Sequence, residues 1–215
     1  MTKVPDPAAN PDIDPAAAVV DVEDLPLLGE PAVVELANTL YLAGQDVLDI
    51  LADPATRTAW LARLVMDPPA IPARLTAAET MALMRLRDAV ADLLRAVATA
   101  ARPASASIAT INKAAGAAPL VARLDWPPGQ PARAVTHPAA GAAVFDVVLG
   151  RLAVDAICLV TGPHPLRVCA GPGCGLLFVA RHRRRRFCHH SCSHRARQAA
   201  YYHRHHPPVP HRPEG

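Results

Sequence analysis

Four cysteines fall within 24 residues near the C-terminal end of the 215-residue chain: Cys169, Cys174, Cys188 and Cys192. Four residues separate the first two, thirteen follow, and three separate the last two. Zinc takes four ligands as a tetrahedron, and thiolates suit its borderline-soft character. Two closely spaced pairs supply that set, because each pair needs only a turn to converge on one ion. Pro172, Gly173 and Gly175 suit the tight backbone of the first pair. Cys188 and Cys192 are four apart, so one helical turn would place both on one face. A reducing compartment disfavours disulfides, and redox centres generally use C-x-x-C, which is absent. His189, His190 and His194 leave room for a different fourth ligand, although His194 would fall on another helical face than Cys192. The reading is one structural Zn2+ with no catalytic residue. A closed four-thiolate site has no open position for water.

Around these ligands lies a basic stretch. Residues 161–215 hold 10 Arg against Glu214 alone, a balance of +9, whereas residues 1–160 hold 12 Lys/Arg against 18 Asp/Glu, a balance of −6. Nine of the ten histidines also follow residue 160. This asymmetry points to a module made for a polyanion. The candidate nucleic-acid contacts are Arg181, Arg183, Arg184, Arg185 and Arg186 between the cysteine pairs, then His194, Arg195, Arg197 and Arg204 after the last cysteine, accompanied by Tyr201 and Tyr202. Arg rather than Lys suits bidentate contacts to phosphate and to guanine. The module has few apolar residues beyond Leu176, Leu177, Phe178 and Phe187. Metal binding, on the order of 10–16 kcal/mol in small fingers, must therefore contribute much of its folding energy.

The elements that carry this module are read as mainly helical. Residues 1–29 mix Pro, Asp and Ala without a period and read as a disordered leader. Pro31 opens an apolar stretch, Val33–Leu42, ending near Gly44, expected as a helix. Asp53 caps a second helix that starts at Pro54, carries Trp60, Leu61 and Leu64 on one face, and ends at Asp67-Pro68-Pro69. Thr76 and Glu79 form a capping box before the clearest helix, with Leu83, Leu86, Val90, Leu93 and Val97 as a core stripe closed by Pro103. A short helix is expected over Ile108–Ala115, a small β-hairpin within Leu120–His137 around Trp126-Pro127-Pro128-Gly129, and a long helix over Ala139–Thr161. Val148, Leu152 and Leu159 should be core in that last helix, and Cys158 a small buried hydrophobe. Gly162-Pro163 marks the boundary to the basic module. The expected division is a leader 1–29, a helical domain 30–162, a zinc finger 163–206 of treble-clef or knuckle-like type ending in a helix, and a disordered tail 207–215.

Several functions lack support. There is no phosphate-binding glycine loop, no nucleophile elbow and no His-Glu-x-x-His, so the chain is read as not an enzyme. Met1–Asp14 has no apolar run after a basic start, and no apolar stretch reaches the roughly 20 residues of a membrane span. The expectation is a cytoplasmic, nucleoid-associated protein with no membrane partner.

The run Cys169-x4-Cys174, Phe178, Arg186-Phe187-Cys188-x3-Cys192-x-x-Arg195-x-Arg197, Tyr202-x-Arg204 resembles the CGNR zinc finger of bacterial regulators. Leu36-Ala37-Asn38-Thr39, Asp49–Pro54 with Trp60-Leu61, the helix from Leu75 with Arg87, Ile111-Asn112 and Leu124–Pro127 resemble the ABATE domain of stress-response transcription regulators. Together the resemblance covers about residues 30–205. It implies a helical N-terminal domain and a C-terminal DNA-binding finger. One departure is plain: this chain has Cys192-Ser193-His194-Arg195 where the family name gives Cys-Gly-Asn-Arg. The Gly and Asn are replaced and the zinc ligands are not.

The reading is therefore a zinc-dependent DNA-binding transcription regulator, with the N-terminal domain for sensing or dimerisation. An RNA- or ribosome-binding zinc protein and a protein-interaction adaptor are the alternatives. A homodimer and a small-molecule effector are left open as partners.

Overall fold

A computed structural model of the chain describes residues 27–43, 46–64 and 74–205. The expected leader up to residue 26, the expected stops at Gly44 and Asp67-Pro68-Pro69, and the expected tail 207–215 lie outside these residues. The elements in order are α1 (Ala32–Ala37), β1 (Leu40–Ala43), β2 (Asp46–Asp49), α2 (Pro54–Leu64), α3 (Ala77–Ala98), α4 (Ser105–Ala117), β3 (Leu120–Asp125), β4 (Arg133–Pro138), α5 (Val144–Thr161), β5 (Leu166–Val168), β6 (Leu177–Val179) and α6 (His190–His205). Among the described residues the fold is mainly α, with three two-stranded antiparallel hairpins, β1–β2, β3–β4 and β5–β6, and α6 as the last helix.

The long helices begin where local chemistry dictates. Thr76 Oγ1 accepts from Glu79 N (3.2 Å) while the Glu79 carboxylate accepts from Thr76 N (2.7 Å), so two amides at the start of α3 are satisfied reciprocally. Asp53 Oδ2 accepts from Thr56 N at 2.7 Å ahead of α2. Along α3 the buried stripe is Leu83, Leu86, Arg87, Val90 and Leu94. Leu93 is only half-buried and Val97 is exposed, so the stripe drifts around the helix by one position at its C-terminal end. This drift follows from 3.6 residues per turn, because a strict three-four alternation cannot stay in register with one face.

The expected helix over Val33–Leu42 is corrected. α1 stops at Ala37, Asn38 caps its C-terminus, and Leu40–Ala43 turns into a strand paired with Asp46–Asp49 in the register Leu40↔Asp49 to Ala43↔Asp46. The polar Asn38-Thr39 pair supplies the break. Thr39 Oγ1 and Thr39 N both bond Leu36 O (2.8 and 3.2 Å), which closes the last turn. α5 begins at Val144 rather than Ala139, and Cys158 on it is exposed rather than core.

One core joins α1, α2, α3, α4 and α5. Val33, Val34 and Leu36 share it with Trp60, Leu61, Leu83, Leu86, Val90 and Leu94 and with Phe145, Leu149, Leu152 and Ala153. The same cluster contains Leu166, Leu177 and Val179 of the β5–β6 hairpin. The basic module is thus seated on the helical layer through a hairpin that shares its core. Residues 27–29, assigned by sequence to the leader, also take part. Leu27 packs on the helical core, and Leu28 packs beside Phe178 and the cysteines.

Away from the module, Arg87 is buried and bridges elements. Its Nη1 meets Asp49 Oδ1 at 2.6 Å, and its Nε meets Asp88 Oδ1 at 2.8 Å. Burial alone would depress the guanidinium pKa, but its hydrogen bonds to the two carboxylates outweigh it and hold the group firmly charged. Asp49 Oδ1 also accepts from Leu51 N, so β2 and the entry to α2 are fixed against α3.

Candidate metal centre and basic surface

The β5–β6 hairpin brings the first cysteine pair together. Cys169 follows β5, Cys174 precedes β6 by three residues, and Cys169 N donates to Leu176 O at 2.8 Å. Between them Cys174 N donates to Gly171 O at 3.0 Å, closing a tight turn. Gly173 sits at φ +68°, a conformation open to glycine. Gly171 is required for a different reason: a Cβ there would lie 2.8 Å from Cys192 Cβ, so the turn must pass directly against the second pair. Pro172-Gly173 was legible as a turn; the role of Gly171 depends on a contact 21 residues away and was not.

The second pair differs from its sequence reading. α6 starts at His190, so Cys188 precedes the helix and Cys192 lies in its first turn. The two do not share a helical face, yet their sulfurs are 3.6 Å apart. Cys174 Sγ lies 3.7 Å from Cys188 Sγ, and all four sulfurs lie within 4.8 Å of one another. A tetrahedron with Zn–S of about 2.3 Å has S···S edges of about 3.8 Å, so the cluster fits one zinc ion. Gly171 N and Cys188 N both donate to Cys169 Sγ (3.4 and 3.3 Å), which fixes the position of that sulfur. Among the described residues, no other set of three or more ligand groups converges in this way. His189 Nδ1 is paired with Ser191 Oγ at 2.9 Å, and His194 is exposed, so neither is a ligand in this arrangement.

Burial pushes the Cys174 thiol up to about 11 and raises Cys188 as well. Burial raises Cys192 too, but hydrogen bonds from Cys188 and Arg195 outweigh it and leave this thiol below its ordinary value. Where burial disfavours the thiolates of Cys174 and Cys188, a divalent cation supplies the missing charge. The donor set can therefore hold one structural zinc, with every tetrahedral position filled by sulfur.

The arginines divide sharply. Arg181, Arg183, Arg184 and Arg186 are exposed. Arg185 is turned inward and makes three hydrogen bonds and one ion pair. Nη1 meets Glu30 Oε1 at 2.7 Å and Val179 O at 3.1 Å, Nη2 meets Cys188 O at 2.7 Å, and Nε meets Phe187 O at 3.2 Å. Its guanidinium lies 4.7 Å above the Phe178 ring. Arg185 therefore leaves the group of free contacts expected from sequence. On α6, His194, Arg195, Arg197 and Arg204 are exposed. Arg195 Nη2 reaches Cys192 Sγ at 3.2 Å, and Arg197 Nη1 reaches Ser193 Oγ at 2.9 Å. α6 packs inward with Cys192, Ser193, Ala196 and Ala199, leaving His190, His194, Gln198, Tyr201 and His205 on its outer face. A shallow hollow along it is lined by Arg195, Arg197, Gln198, Tyr201, Tyr202 and Arg204. Gln198 was not singled out from sequence, because one polar residue on a basic helix carries no signal until its face is known.

The family model described as "Putative stress-induced transcription regulator" (ABATE) matches residues 30–163. The model of the CGNR zinc finger matches residues 166–205. No curated protein matches the chain.

Proposed function

The chain belongs to the ABATE family, carrying a CGNR zinc finger, and from that premise we propose that it is a zinc-dependent DNA-binding transcription regulator. The observation that carries this reading is the position of α6. Its first turn is fixed to the zinc cluster by Cys192, and its exposed side chains include Arg195, Arg197 and Arg204 beside His, Gln and Tyr. A helix held at one end and basic along its length is the type of element that enters a major groove. The exposed Arg181, Arg183, Arg184 and Arg186 lie on the loop leading into Cys188, suited to phosphates on either side. In this reading the helical domain supplies sensing or dimerisation. The exposed Leu42, Val47, Leu124 and Trp126 on its hairpins give it apolar surface for a partner. No catalytic step is assigned, because four thiolates leave zinc no open position. No helix among the described residues is long and apolar enough to cross a membrane.

RNA is the second reading. Tyr201 and Tyr202, 60% and 61% exposed, could stack on unpaired bases. Selection of bound genomic DNA by the purified zinc-loaded protein tests the first reading. Recovery of a recurrent duplex motif supports it; tighter binding to structured RNA than to any duplex at matched salt replaces it.

A further inference from the structure

The joint between the zinc module and the helical unit runs through residues 28–38. Glu35 on α1 is buried, and its Oε1 accepts from Leu28 N and Glu30 N, both at 2.8 Å. This folds the approach to α1 back onto the helix and fixes Glu30. The Glu30 side chain is 2% exposed, and its two oxygens divide their work: Oε1 meets Arg185 Nη1 at 2.7 Å, and Oε2 accepts from Val179 N at 3.0 Å. At the other end of α1, Asn38 bonds both backbone groups of Leu177. Leu28 packs against the apolar cluster that contains Cys169, Cys188 and Cys192.

Arg185 forms the opposite half of the joint. The guanidinium that holds Glu30 also holds the carbonyl of Cys188, a zinc-ligating residue, at 2.7 Å. It is itself held by Phe187 O and by the Phe178 ring. A rearrangement of residues 185–188 must therefore move Arg185 off Glu30. A buried carboxylate cannot lose its cation cheaply. Conversely, a shift of the 28–38 segment pulls on the carbonyl beside a sulfur ligand.

We propose that Glu30 and Arg185 are positioning residues that make metal occupancy of the four-cysteine site and the order of segment 28–38 mutually dependent. The coupling is reciprocal by linkage: whatever favours one must favour the other by the same factor. It gives an event on the helical unit a route to the finger, and it is independent of what α6 binds.

Two measurements on the full chain test this. Hydrogen exchange is compared between zinc-loaded and chelator-stripped protein. Faster exchange on metal removal is expected at the amides of Leu28, Glu30 and Leu177, with the β3–β4 hairpin unchanged. Zinc affinity is then measured by chelator competition for Glu30→Gln, Arg185→Lys and the double variant. Each single change should weaken zinc about tenfold, and the double should be no weaker than either single, since both remove one link. Cobalt-loaded variants should keep the ligand-field spectrum of a four-thiolate tetrahedron, and Arg123→Ala on β3 should bind zinc as the native chain does. Unchanged exchange at Leu28 and Glu30 on metal removal overturns the proposal, as do strictly additive losses in the two variants. The exchange measurement uses the native chain and decides the matter even where a variant fails to fold.

Discussion

Asn38 and Leu177, 139 residues apart, exchange two hydrogen bonds in the buried seam between α1 and β6: Asn38 Nδ2 donates to Leu177 O, and Leu177 N donates to Asn38 Oδ1, each at 2.9 Å. The side-chain amide therefore stands in for a neighbouring strand. Only Asn and Gln carry a donor and an acceptor in this geometry, and Gln is one methylene too long for a closed seam. Asn38→Leu should cost on the order of 2–4 kcal/mol, because it leaves two buried backbone groups unsatisfied. Denaturant unfolding of the zinc-loaded chain measures this. A loss below about 1 kcal/mol would mean that water or a shifted strand replaces the amide.

The shared core bears on whether the helical unit, read from sequence as a domain over residues 30–162, can stand alone. Leu166, Leu177 and Val179 lie in the same cluster as Leu36, Leu94 and Leu152. Removing three buried side chains forfeits about 1.5–3 kcal/mol each, a large share of the stability of a domain of this size. A chain of residues 30–163 should therefore melt well below the full protein and bind a hydrophobic dye. An equal melting temperature would show that the hairpin is a passenger on the core.

Metal uptake should depend on pH with a definite sign. Burial pushes Cys174 up to about 11 and raises Cys188, so both hold protons in the metal-free folded chain at neutral pH. Zinc binds thiolates, so loading must release these protons. Affinity should consequently rise from pH 6 to pH 8 and fall on acidification. Competition with a chelator whose own protonation is corrected for reads the slope. A flat profile would mean that the thiols are already ionised before the metal arrives.

The sequence made legible what is local. The Thr76–Glu79 capping box, the Asp53 cap and the Trp126–Gly129 turn region depend on residues within a few positions of one another, and each appears where the pattern placed it. The cysteine set was legible because ligand chemistry restricts its spacing. Leu40–Ala43 was not, since a short apolar run cannot by itself distinguish a helical end from a strand. The fate of Arg185 was likewise hidden. Nothing in four consecutive arginines separates the one that turns inward; its partner Glu30 lies far upstream, in what read as the edge of a leader.

The Arg57 side chain offers a narrower test. Its Nη1 bonds Leu51 O at 2.8 Å, and its buried Nε has no partner among the described residues. Arg57→Lys keeps a donor for Leu51 O and removes the unpaired nitrogen, so its cost should stay within about 1 kcal/mol, whereas Arg57→Ala should cost about 2–4 kcal/mol through poorer packing and the orphaned carbonyl. Denaturant midpoints of the two variants check the order. Equal losses would show that the guanidinium makes no specific contribution there.

The arginines of the finger should separate into three kinds under mutation. Arg183, Arg184 and Arg186 are exposed on the loop before Cys188, so neutralising two of them should weaken all duplexes alike. The log–log salt dependence should flatten by roughly 0.9 for each phosphate that is no longer neutralised. Arg195 differs, because its Nη2 lies 3.2 Å from Cys192 Sγ and helps keep that thiol below its ordinary value, offsetting part of the negative charge of four thiolates around one cation. Arg195→Ala should therefore release zinc more readily, and weaken preferred and random DNA together as the metal leaves. Selectivity then falls to exposed residues further along α6. Gln198 can pair bidentately with adenine, and Arg197, anchored to Ser193 Oγ by one nitrogen, keeps other donors for guanine. Gln198→Ala and Arg197→Ala should keep their zinc, lose on the order of 1–3 kcal/mol on the preferred site, and lose much less on random DNA. Binding and metal content measured on the same samples separate these outcomes. A zinc-loaded Arg195→Ala protein with diminished selectivity but native metal affinity would assign Arg195 to base recognition and refute its role as a brace.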